Sequence, residues 1–174
     1  MSAIIQLNND FEGIKSLLVY KKSTGRVLTD LAESLLVGPS PLDRVERETI
    51  AAYVSYLNNC DYCFKAHCAI VQDFSSNEMD IPTMFASPDT SSASEKVKVL
   101  LKIAKEIQEG STGLPEELVD RARRVGLCDE SIHDTVLIAS AFCMYNRYVD
   151  GLKVKLPQKE RYNVLAKHLK NGYK

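Results

Sequence analysis

Between Glu48 and His67 the chain gathers residue types that exchange protons and electrons: Glu48, then the run Cys60, Asp61, Tyr62, Cys63, Phe64, Lys65, Ala66, His67. Cys60 and Cys63 are three residues apart, and Cys63 and His67 are four apart. On a helix both separations put side chains on one face, so a dithiol and an imidazole converge within a turn or two. A helix N-terminus also favours thiolates, because its free amides and dipole stabilise negative charge. Glu48 lies about three turns before the break that precedes Cys60 and can fold back over the thiol pair; Cys60, at that break, is expected to lie nearer solvent than Cys63. Its neighbours Val45, Ala51, Ala52 and Ser55 are small or apolar, so the carboxylate should be desolvated, and a hydrogen bond to His67 would make it a proton acceptor. Glu48, His67, Cys60 and Cys63 are therefore expected to act as one proton relay around a redox-active thiol pair.

Two other uses of such a pair compete with this reading. Cys60, Cys63 and His67 could supply three tetrahedral zinc ligands. Cys68, however, is five residues past Cys63 and turned off its face, and no second C-x-x-C completes a structural site. A thioredoxin-like fold would need strands around the motif. The remaining cysteines, Cys68, Cys128 and Cys143, read as small buried apolar residues. His133 and His168 read as surface residues and Glu46 as a solvated helix charge. No glycine-rich phosphate loop occurs, and no metal, flavin or nucleotide cofactor is called for.

The elements that position these residues are helical. Apolar residues recur at helical intervals almost throughout, and no segment alternates long enough to make a strand. Phe11, Ile14, Leu17 and Leu18 form a first stripe; Val27, Leu28, Leu31, Leu35 and Leu36 form a second, closed by Gly38 and Pro39. A third helix is expected to open at Ser40, with Pro41 at its first position and Asp43 against its positive end, and to run to about Leu57. Thr49 to Leu57 is apolar nearly all round, which marks a central helix. Asn58 and Asn59 break it, and the next helix should run from Cys60 or Asp61 to about Phe74. Ser75 to Ser94, with two prolines and many small polar residues, reads as a loop around a short helix at Met79 to Phe85 and as the segment freest to move. Helices follow over Glu95 to Glu109, Pro115 to Val125 and Asp129 to Val149, with a last one starting near Pro157.

Val37, Gly38, Ile50, Ala51 and Asn58 recur in order and spacing as Val125, Gly126, Ile138, Ala139 and Asn146, the pattern of a duplicated helical pair with the thiol motif added after the first copy. At 174 residues the chain fits a single domain, residues 1–174, with a substantial core. Twenty-two basic residues against twenty-three acidic, net charge -1 and unclustered, exclude a phosphate-backbone footprint and so nucleic acid. No stretch approaches the ~20 apolar residues that span a bilayer. Met1 to Phe11 does not read as a secretory signal, and five cysteines, an odd number, fit reduced thiols in the cytoplasm better than a disulfide framework.

The string Glu48, Asn58, Cys60, Tyr62, Cys63 and His67 resembles the alkylhydroperoxidase D-like branch of the carboxymuconolactone decarboxylase superfamily, and Asn146 with Arg147 resembles the ending of its peroxidase-related members. The resemblance implies an all-α bundle that assembles as a homo-oligomer, a trimer or a multiple of it, and reduces hydroperoxides with an external dithiol. It implies Cys63 as the peroxide-attacking thiol, Cys60 as its partner and proton donor, and Glu48 and His67 as the relay. The best-described members carry a second histidine where this chain has Tyr62, and a phenol with a pKa near 10 is a poor base at neutral pH. Two alternatives stay open: a thiol redox sensor or binding module without turnover, and a decarboxylase-like lyase using Glu48 or His67 as base.

Overall fold

The structure, a computed structural model, describes residues 3–76 and 79–174. The first two residues of the N-terminal stretch and residues 77 and 78 of the Ser75 to Ser94 segment lie outside it. The described residues form nine α-helices and no strand: α1 Ile14–Tyr20, α2 Lys22–Leu36, α3 Arg44–Leu57, α4 Asp61–Phe74, α5 Ile81–Ala86, α6 Glu95–Gln108, α7 Glu116–Arg124, α8 Asp129–Gly151 and α9 Lys159–Leu169, with a 3₁₀ turn at Pro88–Thr90 between α5 and α6.

Helix α3 is the centre of the bundle, as its apolar circumference requires. Every residue from Glu46 to Ser55 is buried, and α4, α6 and α8 all pack against it. Helix α8 packs on α3 and α6, and α9 covers α4. The helix starts later than the sequence suggested. Asp43, not Ser40, is its N-cap: the Asp43 carboxylate accepts the Glu46 amide at 2.8 Å, and the Glu46 carboxylate accepts the Asp43 amide at 3.0 Å. This reciprocal pair satisfies two free donors at once, while the Ser40 hydroxyl donates to Asp134 on α8. Glu46 is consequently no solvated charge. It is buried and ion-paired to Lys96 at 2.7 Å.

The Ser75 to Ser94 segment is less free than its composition implied. Ile81, Met84 and Phe85 are buried, and the Phe85 ring packs on Tyr53, Tyr56 and Phe64 at centroid distances of 5.1, 5.8 and 6.3 Å. Three anchors in one short helix tie the loop to the core.

The repeated residues meet in space. Ile50, Ala51, Ile138 and Ala139 are all fully buried, and Asn58 donates to Asn146 at 2.9 Å. Asn146 donates in turn to the Ser55 hydroxyl at 3.0 Å, and Gln108 and Arg147 both donate to the Asn58 side-chain oxygen Oδ1 at 3.0 Å. A buried amide pair satisfied on both sides fixes the register of α3 against α8.

Candidate active site

The α3–α4 elbow sets the thiols. Asn59 takes a left-handed conformation, φ 56°, which asparagine tolerates better than most residues. The chain then reverses tightly enough for the Cys60 amide to donate back to the Ser55 carbonyl at 2.9 Å. Cys60 becomes the N-cap of α4, its carbonyl accepting the Phe64 amide at 2.9 Å, and Cys63 sits in the first turn.

Both thiols are inside. Cys60 is 0% exposed and Cys63 4%, so Cys60 is not the more solvent-facing of the two, as its place at the break suggested: the elbow folds it under the end of α3. Cys63 and Asp150 of α8 are ionisable neighbours of Cys60, and the interaction with Cys63, then burial, push the Cys60 thiol above its usual range.

Cys63 and His67 line a cavity of about 500 Å³ at the meeting of α1, α2, α4, α8 and α9, whereas Cys60 does not reach it. Tyr62 forms part of the same wall. Its ring occupies the space over Gly13, where φ is 60° and a Cβ would fall 2.1 Å from the tyrosine carbons, so only glycine fits there. Burial, then the proximity of Cys63, pushes the Tyr62 phenol well above its usual range. It stays protonated and cannot serve as a base near neutrality.

Glu48 and His67 are joined as the sequence suggested. The fully buried Glu48 accepts from His67 Nδ1 at 2.6 Å. A carboxylate only accepts, so the imidazole proton on that side lies on Nδ1, and Nε2 is the nitrogen left for exchange. Two partners were not foreseen. Arg44 donates to Glu48 from Nε at 2.8 Å, with Nη2 in ion-pair contact at 2.8 Å, and the Tyr173 hydroxyl donates to the two carboxylate oxygens at 3.0 and 3.1 Å. Glu48 therefore does not fold over the thiols; it fixes the tautomer and aim of His67 within a charge-compensated nest. The His67 ring stands edge-on to Phe142 at 4.7 Å and stacks on Tyr173 at 6.4 Å. Burial, followed by the Glu48 charge, pushes the Tyr173 phenol well above its ordinary range, which keeps it a donor. Arg44 was legible as the i−4 neighbour of Glu48; nothing local to Tyr173 marks its role.

Neither thiol hydrogen-bonds His67 among the described residues; Cys63 and the imidazole share the cavity wall instead. Catalytic contacts often tighten only when substrate binds. No cluster of three His, Cys, Asp or Glu side chains is arranged to hold a metal among the described residues. The other cysteines lie apart. Burial pushes Cys68 up to about 12, and Cys143 is half-buried, both consistent with packing. Cys128 departs from the buried reading: it is the exposed N-cap of α8, held below its usual range by Ser131 at 3.2 Å. His133 is on the surface, and the exposed His168 also lines the cavity.

These features define an all-α bundle with a buried dithiol, one thiol of which faces a cavity beside a carboxylate-oriented imidazole. The model of the carboxymuconolactone decarboxylase family matches residues 23–106, which contain all four motif residues. A peroxidase-related protein of uncharacterised function from Silicibacter sp. TM1040 superposes with a TM-score of 0.78 at 25% identity, over 86% of this chain and 78% of that one. An alkylhydroperoxidase AhpD core protein from Ralstonia eutropha JMP134, also peroxidase-related and uncharacterised, gives a TM-score of 0.79 at 19% identity over 88% and 80%. A protein of unknown function from Agrobacterium tumefaciens gives 0.70 at 17% over 82% and 96%. No curated protein matches significantly. The chain has the AhpD-like, all-α fold of these structures, and its residues 23–106 match the carboxymuconolactone decarboxylase family.

Proposed function

We propose that the protein is a thiol-dependent hydroperoxide reductase. The observation that carries this reading is the division between the thiols: Cys63 faces a cavity shared with an oriented imidazole, and Cys60 lies fully buried outside it. His67 accepts the Cys63 proton through Nε2. The Cys63 thiolate attacks the terminal peroxide oxygen, an S–O bond forms as the O–O bond breaks, and the proton on His67 passes to the departing alkoxide. Cys60 then attacks the sulfenic sulfur, forming the disulfide and releasing water. An external dithiol restores both thiols by exchange, entering at Cys63, the sulfur on the cavity side. Glu48, Arg44 and Tyr173 position His67 throughout.

The reading carries two further expectations. Five free thiols suit a reducing compartment such as the cytoplasm, and no helix is long and apolar enough to cross a membrane among the described residues. A homo-oligomer is supported by the apolar side chains that Leu137 and Met144 of α8 and Val27 of α2 leave exposed; sedimentation should give a mass above the monomer. The deciding test is consumption of an alkyl hydroperoxide with several candidate dithiols in excess. Sustained, protein-dependent turnover is expected. Disulfide formation without turnover under every dithiol would instead identify a redox sensor.

A further inference from the structure

The cavity beside Cys63 is larger than hydrogen peroxide needs, and its charged lining has a single sign. At about 500 Å³ it falls in the range that accommodates organic ligands, roughly 300–1,000 Å³. A molecule little bigger than water, whose share of liquid volume is ~30 Å³, would leave most of it unused. Much of the wall is apolar, from Ile14, Leu18, Leu28, Ala32, Phe142 and Leu165. The charged or ionisable side chains that line it, apart from Cys63, His67 and the tyrosines, are Lys15, Lys22, Arg26, His168 and Lys174; no aspartate or glutamate does.

In a chain of net charge -1, that one-sidedness is local. Part of it is neutralised: Lys174 pairs with Asp30 at 3.0 Å, and Lys15 lies over the Phe11 ring at 4.5 Å. Lys22 and Arg26, one turn apart on the exposed side of α2, have no carboxylate within ion-pair distance among the described residues. Two neighbouring cations without partners at the edge of an apolar cavity suit an anionic head on an apolar body, since arginine binds a carboxylate through paired N–H donors and lysine adds a point charge.

We propose that the substrate is an amphiphilic hydroperoxide of the fatty-acid type, with its chain against the apolar wall, its carboxylate on Lys22 and Arg26 and its peroxide group at Cys63. The inference rests on the peroxide-reducing reading. The reaction breaks the O–O bond, oxidises Cys63 to the sulfenic acid and leaves the corresponding hydroxy acid as product, which the same cavity must bind and release.

Product binding tests the proposal without turnover. Calorimetry on the wild-type protein would compare a medium-chain hydroxy fatty acid, its methyl ester and an alkyl phosphate of equal length. The acid should bind about tenfold more tightly than the ester at low salt. Exposed ion pairs contribute modestly each, so the double variant Lys22→Gln, Arg26→Gln should lose about three- to tenfold of that preference. High salt should erode it similarly in the wild type. Equal affinity for acid and ester, or no saturable binding of either, would overturn the inference; tighter binding of the alkyl phosphate would overturn the carboxylate assignment. Reduction of the parent hydroperoxide, assayed separately with a dithiol, keeps the two readings apart. Acid-selective binding without reduction would contradict the peroxidase reading alone, and reduction without acid preference would contradict this one alone.

Discussion

Helices α3 and α8 share repeated residues and lie against each other, yet only α3 supplies the carboxylate that holds His67. The offset of 88 residues that relates Asn58 to Asn146 also relates Arg44 to Ile132 and Glu48 to Val136. Where α3 buries a carboxylate with three compensating partners, α8 carries partly buried aliphatic side chains. The shared positions hold the bundle together through Ile50, Ala51, Ile138, Ala139 and the asparagine pair. The differing ones place a charge that the fold alone does not need. Burying a carboxylate is costly unless it is paired and hydrogen-bonded, and Arg44, His67 and Tyr173 supply those partners to Glu48.

The contrast can be broken from either side. The largest effect is expected at Cys63: Cys63→Ser should abolish peroxide consumption under excess dithiol. Next, His67→Ala should slow turnover by about 10²- to 10⁴-fold, the usual worth of general acid/base catalysis, with little change in urea midpoint. Glu48→Gln should slow turnover too, but it also leaves Arg44 without its counter-charge, so a stability loss on the order of 1–3 kcal/mol should accompany it. A Glu48→Gln protein with wild-type turnover would remove the positioning role.

On the structural side, Asn146→Ala strips partners from Asn58 and Ser55. It should cost about 1–3 kcal/mol in urea unfolding while peroxide reactivity per folded molecule persists. Loss of reactivity with unchanged stability would reverse the assignment of the two helices. The smallest effect concerns Tyr145, whose hydroxyl donates to the Leu28 carbonyl at 2.6 Å. Burial raises its phenol from 10.0 to about 12. The unfolded chain then loses this proton first as pH rises, so stability is full below pH 10 and falls towards pH 12. Tyr145→Phe should flatten that alkaline decline in chemical denaturation; an unchanged decline would show that Tyr145 does not contribute to it.

The thiol pair and His67 were legible because spacings of three and four residues fall on one helix, and Glu48 because only a short break separates its helix from theirs. Most helices were legible for the same reason, with Leu57, Phe74 and the Asp129 start falling where periodicity and capping put them. What escaped depended on distant contacts. Tyr173 reaches Glu48 across 125 residues, Glu46 found Lys96 across 50, and the short helix α5 was anchored by aromatic partners on α3 and α4. The relative burial of the cysteines failed for a different reason, since an elbow's direction in space is not encoded in helical spacing.

The central claim is that Cys63 is the thiol that meets peroxide and Cys60 the thiol that resolves it. Mass spectrometry after a limiting dose of alkyl hydroperoxide, applied to Cys60→Ser and Cys63→Ser in turn, tests it most directly. One added oxygen on Cys63 in the Cys60→Ser protein, with Cys60 unmodified in the Cys63→Ser protein, is the expected result. Oxygen on Cys60 in the Cys63→Ser protein, with Cys63 unmodified in the reciprocal variant, would contradict it.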